Sequence, residues 1–187
     1  MNADTLIDAF VHKINRSPRR RIREEDIPPR LRENGAEFGI YYDWTIQRFD
    51  HINWIEPLEI QLPGPLPPSY RSLVTRYIFP AFEITPLILL ANTGQTLYHE
   101  MSMAMSRDKV LSKLLLNKGY AQFARPANGD ADPICFDFRQ AHSDRECALV
   151  RVSHHELLAS GQVQVVDEIA PSFYAFVDRF VRESVES

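Results

Sequence analysis

Several histidines stand beside carboxylates or other histidines, a pattern that could bind zinc or transfer a proton. His99-Glu100 begins like the helical zinc-protease motif, whose second histidine would fall at position 103, where the chain has Met103. Zinc held on one helical turn needs that second imidazole. His154 and His155 are adjacent, and on a helix adjacent side chains diverge by about 100°, so the pair cannot chelate one ion. We therefore predict no metal site at the histidines.

An acidic loop offers a second possible metal site. The run Asn128-Gly129-Asp130-Ala131-Asp132 is similar to the opening of a calcium-binding loop, but the required bidentate glutamate would fall at Arg139. Pro133 also interrupts the run. As a turn the loop needs no ion, because Asn-Gly supplies a left-handed residue and Asp130 can bond to nearby amides. The loop is therefore interpreted as a turn without calcium.

The remaining candidates for catalysis are two thiols. Cys135 and Cys147 are the only cysteines, too few for a disulfide framework, so we expect reduced residues in a cytoplasmic protein. Cys135 lies in the apolar run 133–136, which favours a small buried hydrophobe. The seven glycines are scattered, and they form neither a phosphate-binding loop nor a nucleophile elbow. We predict no catalytic residue and no cofactor. An enzyme would need His99, Glu100 or Cys135 to converge in one cleft.

The charge of the chain is unevenly distributed. Residues 1–34 hold eight basic and six acidic residues, a net charge of +2, whereas residues 35–187 have a net charge of −6. An acidic main part argues against a nucleic-acid partner and suits a basic protein partner, and a small-molecule ligand is not expected. No apolar run approaches the roughly 18 residues of a membrane span, and the N-terminus lacks the order of a signal peptide, so no membrane partner is predicted.

The N-terminal part combines a helix with an arginine-rich segment. Residues 4–15 place apolar side chains on one helical face, with Asp4 as the predicted cap. Residues 16–32, rich in arginine and proline, follow this helix. We assign residues 1–34 to an appendage and residues 35–187 to the main domain.

Strands are predicted in the middle of the main domain, with helices on either side. Five prolines between residues 57 and 68 predict rigid extended chain, after which Ser69 is the expected cap of a helix to about Tyr77. Pro171 is expected to open a terminal helix with an apolar stripe. Between these helices the patterns predict a helix over 107–117 and strands over 82–84, 87–91, 120–125, 134–138, 149–152 and 163–166. This order predicts an α+β domain, with one mixed or antiparallel sheet covered by helices.

Five short motifs punctuate this order of elements. They are Leu66-Pro67-Pro68-Ser69-Tyr70, Gly119-Tyr120-Ala121-Gln122-Phe123, Asp132-Pro133-Ile134-Cys135-Phe136-Asp137, Leu149-Val150-Arg151-Val152 and Glu168-Ile169-Ala170-Pro171. Their succession, over roughly residues 54–181, resembles the SUKH superfamily, which includes the Smi/Knr-type fungal cell-wall-assembly regulators and many bacterial proteins. Two features depart from it. The family's Asn-Gly pair has its nearest counterpart only at Asn92-Thr93-Gly94, and residues 1–44 lie outside the resemblance.

The resemblance implies an α+β domain that has no enzymatic activity. For bacterial members it implies an immunity protein that binds and neutralises a cognate toxin, often a nuclease, and an acidic inhibitor suits a basic nuclease. Asp130, Asp132 and Asp144 are the predicted partner-binding residues. The alternative is a regulatory or scaffold domain of the Smi/Knr type without a toxin partner, in which the arginine-rich segment adds a docking surface.

Overall fold

The predicted helices and strands occur in the predicted order, whereas the short strands between residues 22 and 48 and at 77–78, and the helix over 55–59, were not predicted. The computed structural model describes residues 1–17, 22–23, 31–35, 41–49, 55–92, 101, 109–140 and 144–183. The α-helices there are α1 (Ala3–Arg16), α2 (Ile55–Glu59), α3 (Pro68–Arg76), α4 (Lys109–Asn117), α5 (His154–Ser160) and α6 (Phe173–Arg182). The strands are β1 (Ile22–Arg23), β2 (Arg32–Gly35), β3 (Tyr41–Trp44), β4 (Gln47–Arg48), β5 (Tyr77–Ile78), β6 (Phe82–Ile84), β7 (Leu87–Leu89), β8 (Tyr120–Pro126), β9 (Ile134–Asp137), β10 (Ala148–Val152) and β11 (Val165–Ala170).

A six-stranded sheet in the order β11-β10-β9-β8-β7-β6 forms the centre of the fold. Every neighbouring pair in it is antiparallel. Residues 85–86 join β6 to β7 and residues 127–133 join β8 to β9, which are the short connections that antiparallel pairing allows. Helix α4 lies between β7 and β8, and helix α5 lies between β10 and β11. Two smaller sheets, β1-β3-β2 and β4-β5, lie outside it. The predicted α+β class with an antiparallel sheet is confirmed.

Helices cover both faces of this sheet. Leu149 and Phe136, opposite each other on β10 and β9, belong to a large core that also holds residues of α1, α3 and α6. The next pair, Val150 and Cys135, belongs to a second core with Leu115 of α4 and Leu157 of α5. Because successive strand residues point to opposite faces, the two cores lie on opposite sides of the sheet.

Helix α1 is an integral part of the larger core. Its residues Leu6, Ile7 and Phe10 are completely buried. Phe10 packs edge-on against Phe180 of α6 with ring centroids 5.5 Å apart, and Lys13 donates a hydrogen bond to the Phe180 carbonyl. The division at residue 34 stays a prediction. Most of the arginine-rich run, residues 18–21 and 24–30, lies outside the described residues.

The proline-rich stretch before α3 differs from its prediction. Extended chain was expected through the five prolines, but Pro57 lies within helix α2, where the first turn needs no amide donor. Helix α3 begins at Pro68 rather than after a Ser69 cap, with Pro67 at the N-cap position and no side-chain hydrogen bond from it. Likewise Asn2, not Asp4, caps α1 through a bond from Thr5 N to Asn2 Oδ1 of 2.8 Å.

Candidate protein-binding surface

The turn between β8 and β9 places Asp130 at one end of the sheet. Gly129 adopts a φ of +85°, and Asn128 Oδ1 accepts a 3.2 Å hydrogen bond from Asp130 N. Asn128 Nδ2 donates to Asp130 Oδ2 over 2.7 Å, so the asparagine side chain holds both the backbone and the carboxylate. Asp130 Oδ2 also lies 3.6 Å from a terminal nitrogen of Arg151 on β10. The predicted Asn-Gly turn is thus built from side-chain to backbone bonds.

Asp132, two residues further along the same loop, supports the start of helix α5. Its Oδ1 accepts a 2.9 Å hydrogen bond from the backbone N–H of His154, the first residue of that helix. Ser153 is the N-cap and accepts from Glu156 N over 3.2 Å. Helix N-termini expose unpaired amide donors and a partial positive charge, so a carboxylate is stabilised there. The Oδ1 atom of Asp132 is therefore already used to stabilise the start of helix α5.

The third predicted acid, Asp144, lies apart from the other two. It precedes the first residue of β10, whereas Asp130 and Asp132 lie beside the last residues of that antiparallel strand. Asp144 Oδ1 accepts a 3.0 Å bond from Glu146 N. The structure thus brings Asp130 and Asp132 together and separates Asp144 from them along β10.

Two residues after Asp144, the buried Glu146 caps the N-terminus of helix α3. Its Oε1 accepts a 2.8 Å hydrogen bond from Ser69 N, in the first turn of that helix. Glu146 is only 5% exposed. Its Oε2 and the Ser69 hydroxyl are buried without a hydrogen-bond partner among the described residues. Pro67, the N-cap of α3, has no side-chain acceptor for the amides of the first turn. The Glu146 carboxylate therefore accepts from one of these amides instead.

The acids that the sequence interpretation missed are Asp167 and Glu168. The last strand was predicted over 163–166, but β11 runs from Val165 to Ala170 and contains both acids. Val165 and Val166 are 39% and 47% exposed, and the two acids are exposed as well. Charged residues inside an otherwise apolar strand are the usual sign of a sheet edge, and that signal was present in the sequence. β11 is indeed the last strand of the sheet.

Two pairing irregularities accompany these acids. Asp167 lies opposite Arg151 and Glu168 opposite Val150, while Val166 and Ile169 fall at shifts in the register with β10. Such bulges bend and twist an edge strand. We call Val165, Val166, Asp167 and Glu168 the β11 edge surface. This surface contains two exposed apolar side chains and two carboxylates. The Asp130 turn lies nearby, on the opposite side of β10 from β11.

The predicted chemical groups lie in unreactive settings. Cys135 and Cys147 are buried free thiols, in agreement with the expected role of Cys135 as a small core residue. Burial, and secondarily the negative charge of Asp137, raises the pKa of the Cys135 thiol. Burial with the nearby Glu146 carboxylate raises the pKa of Cys147 to about 12. Both thiols are therefore neutral at physiological pH, and a neutral thiol is a poor nucleophile.

The histidine pair and the acidic loop form no metal cluster. Within the ranges that the structure describes, no three side chains of His, Cys, Asp or Glu lie close enough to hold an ion. The imidazole of His155, 86% exposed, faces Glu156 at 3.4 Å. His99 and Glu100 lie outside the described residues. The described part of the chain also contains no helix with the length and apolar character to cross a membrane.

A buried acid next to β8 forms a structural cluster. Asp137 accepts hydrogen bonds from the Arg139 guanidinium, Nε to Oδ1 at 2.9 Å and a terminal nitrogen to Oδ2 at 2.8 Å. The guanidinium lies 4.5 Å from the centroid of the Tyr120 ring. Burial followed by the charge of Asp137 raises the pKa of the Tyr120 phenol. Gly119 adopts a φ of +85°, and a Cβ there would lie 2.7 Å from Arg139 Cγ. The glycine thus leaves room for the arginine.

Comparison with known proteins assigns no relative to this chain. No protein-family model matches it. No curated protein matches it either. The resemblance to the SUKH superfamily therefore stays a prediction from the order of its motifs.

Proposed function

We propose that the chain is a non-enzymatic protein-binding module, and specifically an immunity protein of the SUKH type that binds and neutralises a basic toxin domain in the cytoplasm. The observation that carries the proposal is the exposed acidic strand β11. Asp167 and Glu168 stand there beside exposed Val165 and Val166. Exposed apolar side chains rimmed by charge are typical of protein interfaces rather than of inert surface.

Charge gives this surface a preferred class of partner. Arg151 lies opposite Asp167 on the neighbouring strand and 3.6 Å from Asp130, so its single positive charge offsets only part of this acidic surface, and Glu168 has Val150 rather than a base opposite it. A nuclease must be basic to hold its polyanionic substrate. An acidic inhibitor attracts such a protein over a distance and matches its surface on contact, which speeds association. The net charge of −6 over residues 35–187 acts in the same direction.

The settings of the reactive groups support binding rather than catalysis. Both thiols are buried with raised pKa values, and the Asp132 carboxylate already accepts a hydrogen bond from the start of α5. A nucleophile needs a base within hydrogen-bond reach and a lowered pKa. The pKa values of Cys135 and Cys147 are raised instead, so neither thiol is activated as a nucleophile.

The proposal is tested by identifying the proteins encoded by the neighbouring genes and co-expressing the chain with any basic toxin-domain protein among them. We expect the wild-type chain to restore growth of cells that produce the toxin and to form a stoichiometric complex with it, weakened by salt. Asp144→Lys and Asp130→Lys reverse the charge at the two ends of strand β10 and test whether either end contacts the toxin. Glu56→Lys, an equal charge change on α2, is the matched control.

Three outcomes decide the proposal. Rescue with a purified complex supports the immunity function. A complex with a basic protein that is not toxic favours the regulatory or scaffold alternative instead. The absence of any toxin-domain neighbour, together with failure to rescue cells from candidate toxins, would overturn the immunity function.

A further inference from the structure

The two edges of the central sheet differ in exposure. At one edge, β6 has buried side chains at Phe82 and Ile84. At the other edge, four consecutive residues of β11, Val165 to Glu168, are exposed. No strand of the described residues pairs with the outer side of β11. Among the described residues its outward N–H and C=O groups have no strand partner, and such groups are the positions that an added strand can use.

We propose that the outer side of the β11 edge surface binds a short, extended, basic segment of the partner protein, which adds a seventh strand to the sheet. This inference rests on the proposed function and assigns the partner's binding mode. Main-chain hydrogen bonds supply the pairing, and Asp167 and Glu168 select a basic sequence.

A second copy of this chain does not suit the edge. Antiparallel pairing of β11 with itself over its whole length would set Asp167 of each copy opposite Glu168 of the other. Like charges directly opposite each other on paired strands are destabilising. The same acids that repel a second copy attract lysine or arginine, so the charge of the edge favours a different, basic protein.

The orientation of the two acids specifies the sequence of the bound segment. Asp167 is paired with Arg151 and Glu168 with Val150, which point to opposite faces of the sheet. A complementary strand therefore needs two consecutive basic residues, one for each face. The register shifts at Val166 and Ile169 bend the edge on either side of the acids, which restricts the added strand to a few residues.

Three synthetic peptides test this binding mode. The first is Val-Thr-Lys-Lys-Val-Thr, the second replaces both lysines by glutamate, and the third, Val-Pro-Lys-Lys-Pro-Thr, keeps the charge but removes backbone donors. We expect the first peptide alone to slow amide hydrogen exchange over residues 165–168 of the full chain. Asp167→Lys and Glu168→Lys should each weaken its binding about threefold to tenfold, because an exposed attraction becomes a repulsion.

The control variant is Glu56→Lys, which makes the same charge change on α2 and should alter the affinity less than about twofold. Equal binding of the proline peptide, or binding without slowed exchange at 165–168, would overturn strand addition. Such a result leaves toxin rescue untouched, so the proposed function can survive it. Conversely, slowed exchange with no rescue by the wild-type chain would retain the edge site and overturn the immunity function.

Discussion

Glu146 supplies the most direct test of how distant parts of the chain complete the fold. Replacing it by alanine removes the acceptor of Ser69 N in the first turn of α3. Loss of a helix cap costs about 0.5–2 kcal/mol. Alanine retains Cβ, so one buried methylene, Cγ, is also removed, which adds roughly 0.8 kcal/mol. We therefore expect Glu146→Ala to lower the free energy of unfolding by about 1–3 kcal/mol.

Glu146→Gln separates the hydrogen bond from the charge. Glutamine keeps a carbonyl acceptor for Ser69 N but loses the attraction between a carboxylate and a helix N-terminus, which is about 0.3–2 kcal/mol. It also replaces the buried carboxylate oxygen that has no hydrogen-bond partner among the described residues, and this change opposes the loss. We expect Glu146→Gln to remain within about 1 kcal/mol of the wild type.

Urea unfolding at neutral pH measures both variants, and equal slopes against urea show that the same surface is exposed in each. Glu56→Ala, an exposed acid in the first turn of α2, is the control for removing a carboxylate and should change stability by less than about 0.5 kcal/mol. A Glu146→Gln variant as unstable as Glu146→Ala would refute the capping role. So would a Glu146→Ala variant as stable as the control.

Three further outcomes follow from the packing. Burial, and then the Asp8 carboxylate, raise the pKa of Tyr77 from 10.0 to about 12. The stabilisation from the neutral Tyr77 phenol is therefore complete below about pH 10 and is lost as the pH rises to about 12. Tyr77→Phe should flatten the wild-type decline in the free energy of unfolding between about pH 10 and 12, measured by urea titration. Cys135 and Cys147 should resist a thiol reagent at pH 8 until urea unfolds the chain, and fast labelling of the native protein would contradict their burial. Gly119→Ala should cost about 1 kcal/mol more than Gly129→Ala by thermal unfolding, because both adopt a φ of +85° but only a Cβ at 119 meets another side chain; equal costs would mean that the neighbouring arginine moves aside freely.

Testing the arginine-rich segment requires substitutions rather than truncation. Removal of residues 1–34 would take α1 out of the core, including the completely buried Leu6, Ile7 and Phe10. A truncated chain would lose partner binding through unfolding, whatever the role of the arginines. Replacing Arg19, Arg20 and Arg21 by serine tests docking by charge while it retains the whole of α1.

Local patterns in the sequence determined most of the secondary structure. The apolar spacing of residues 4–15 predicted α1 almost to its ends, and Phe173, Phe176 and Val177 of the predicted terminal stripe are buried on α6. Period-two and period-3.6 patterns are properties of neighbouring residues, so they can be recognised before any tertiary contact is known. The Asn-Gly turn before β9 was predictable for the same reason.

Tertiary structure alone decided the details that depend on distant residues. Helix α3 takes its acceptor from Glu146, 77 positions away, so the local prediction of a Ser69 cap was wrong. Asp130, Asp132 and Asp144 share a composition that suggested one surface, yet β10 separates the third from the first two. The open side of β11 follows from its place at the end of the strand order. The sequence by itself determined most of the helices and strands after residue 67 and the acidic net charge of residues 35–187. Only the tertiary structure decided that Asp132 and Glu146 accept hydrogen bonds at helix N-termini, whereas Asp167 and Glu168 lie on an edge strand. The physical reason is that these positions depend on contacts between residues far apart in the chain.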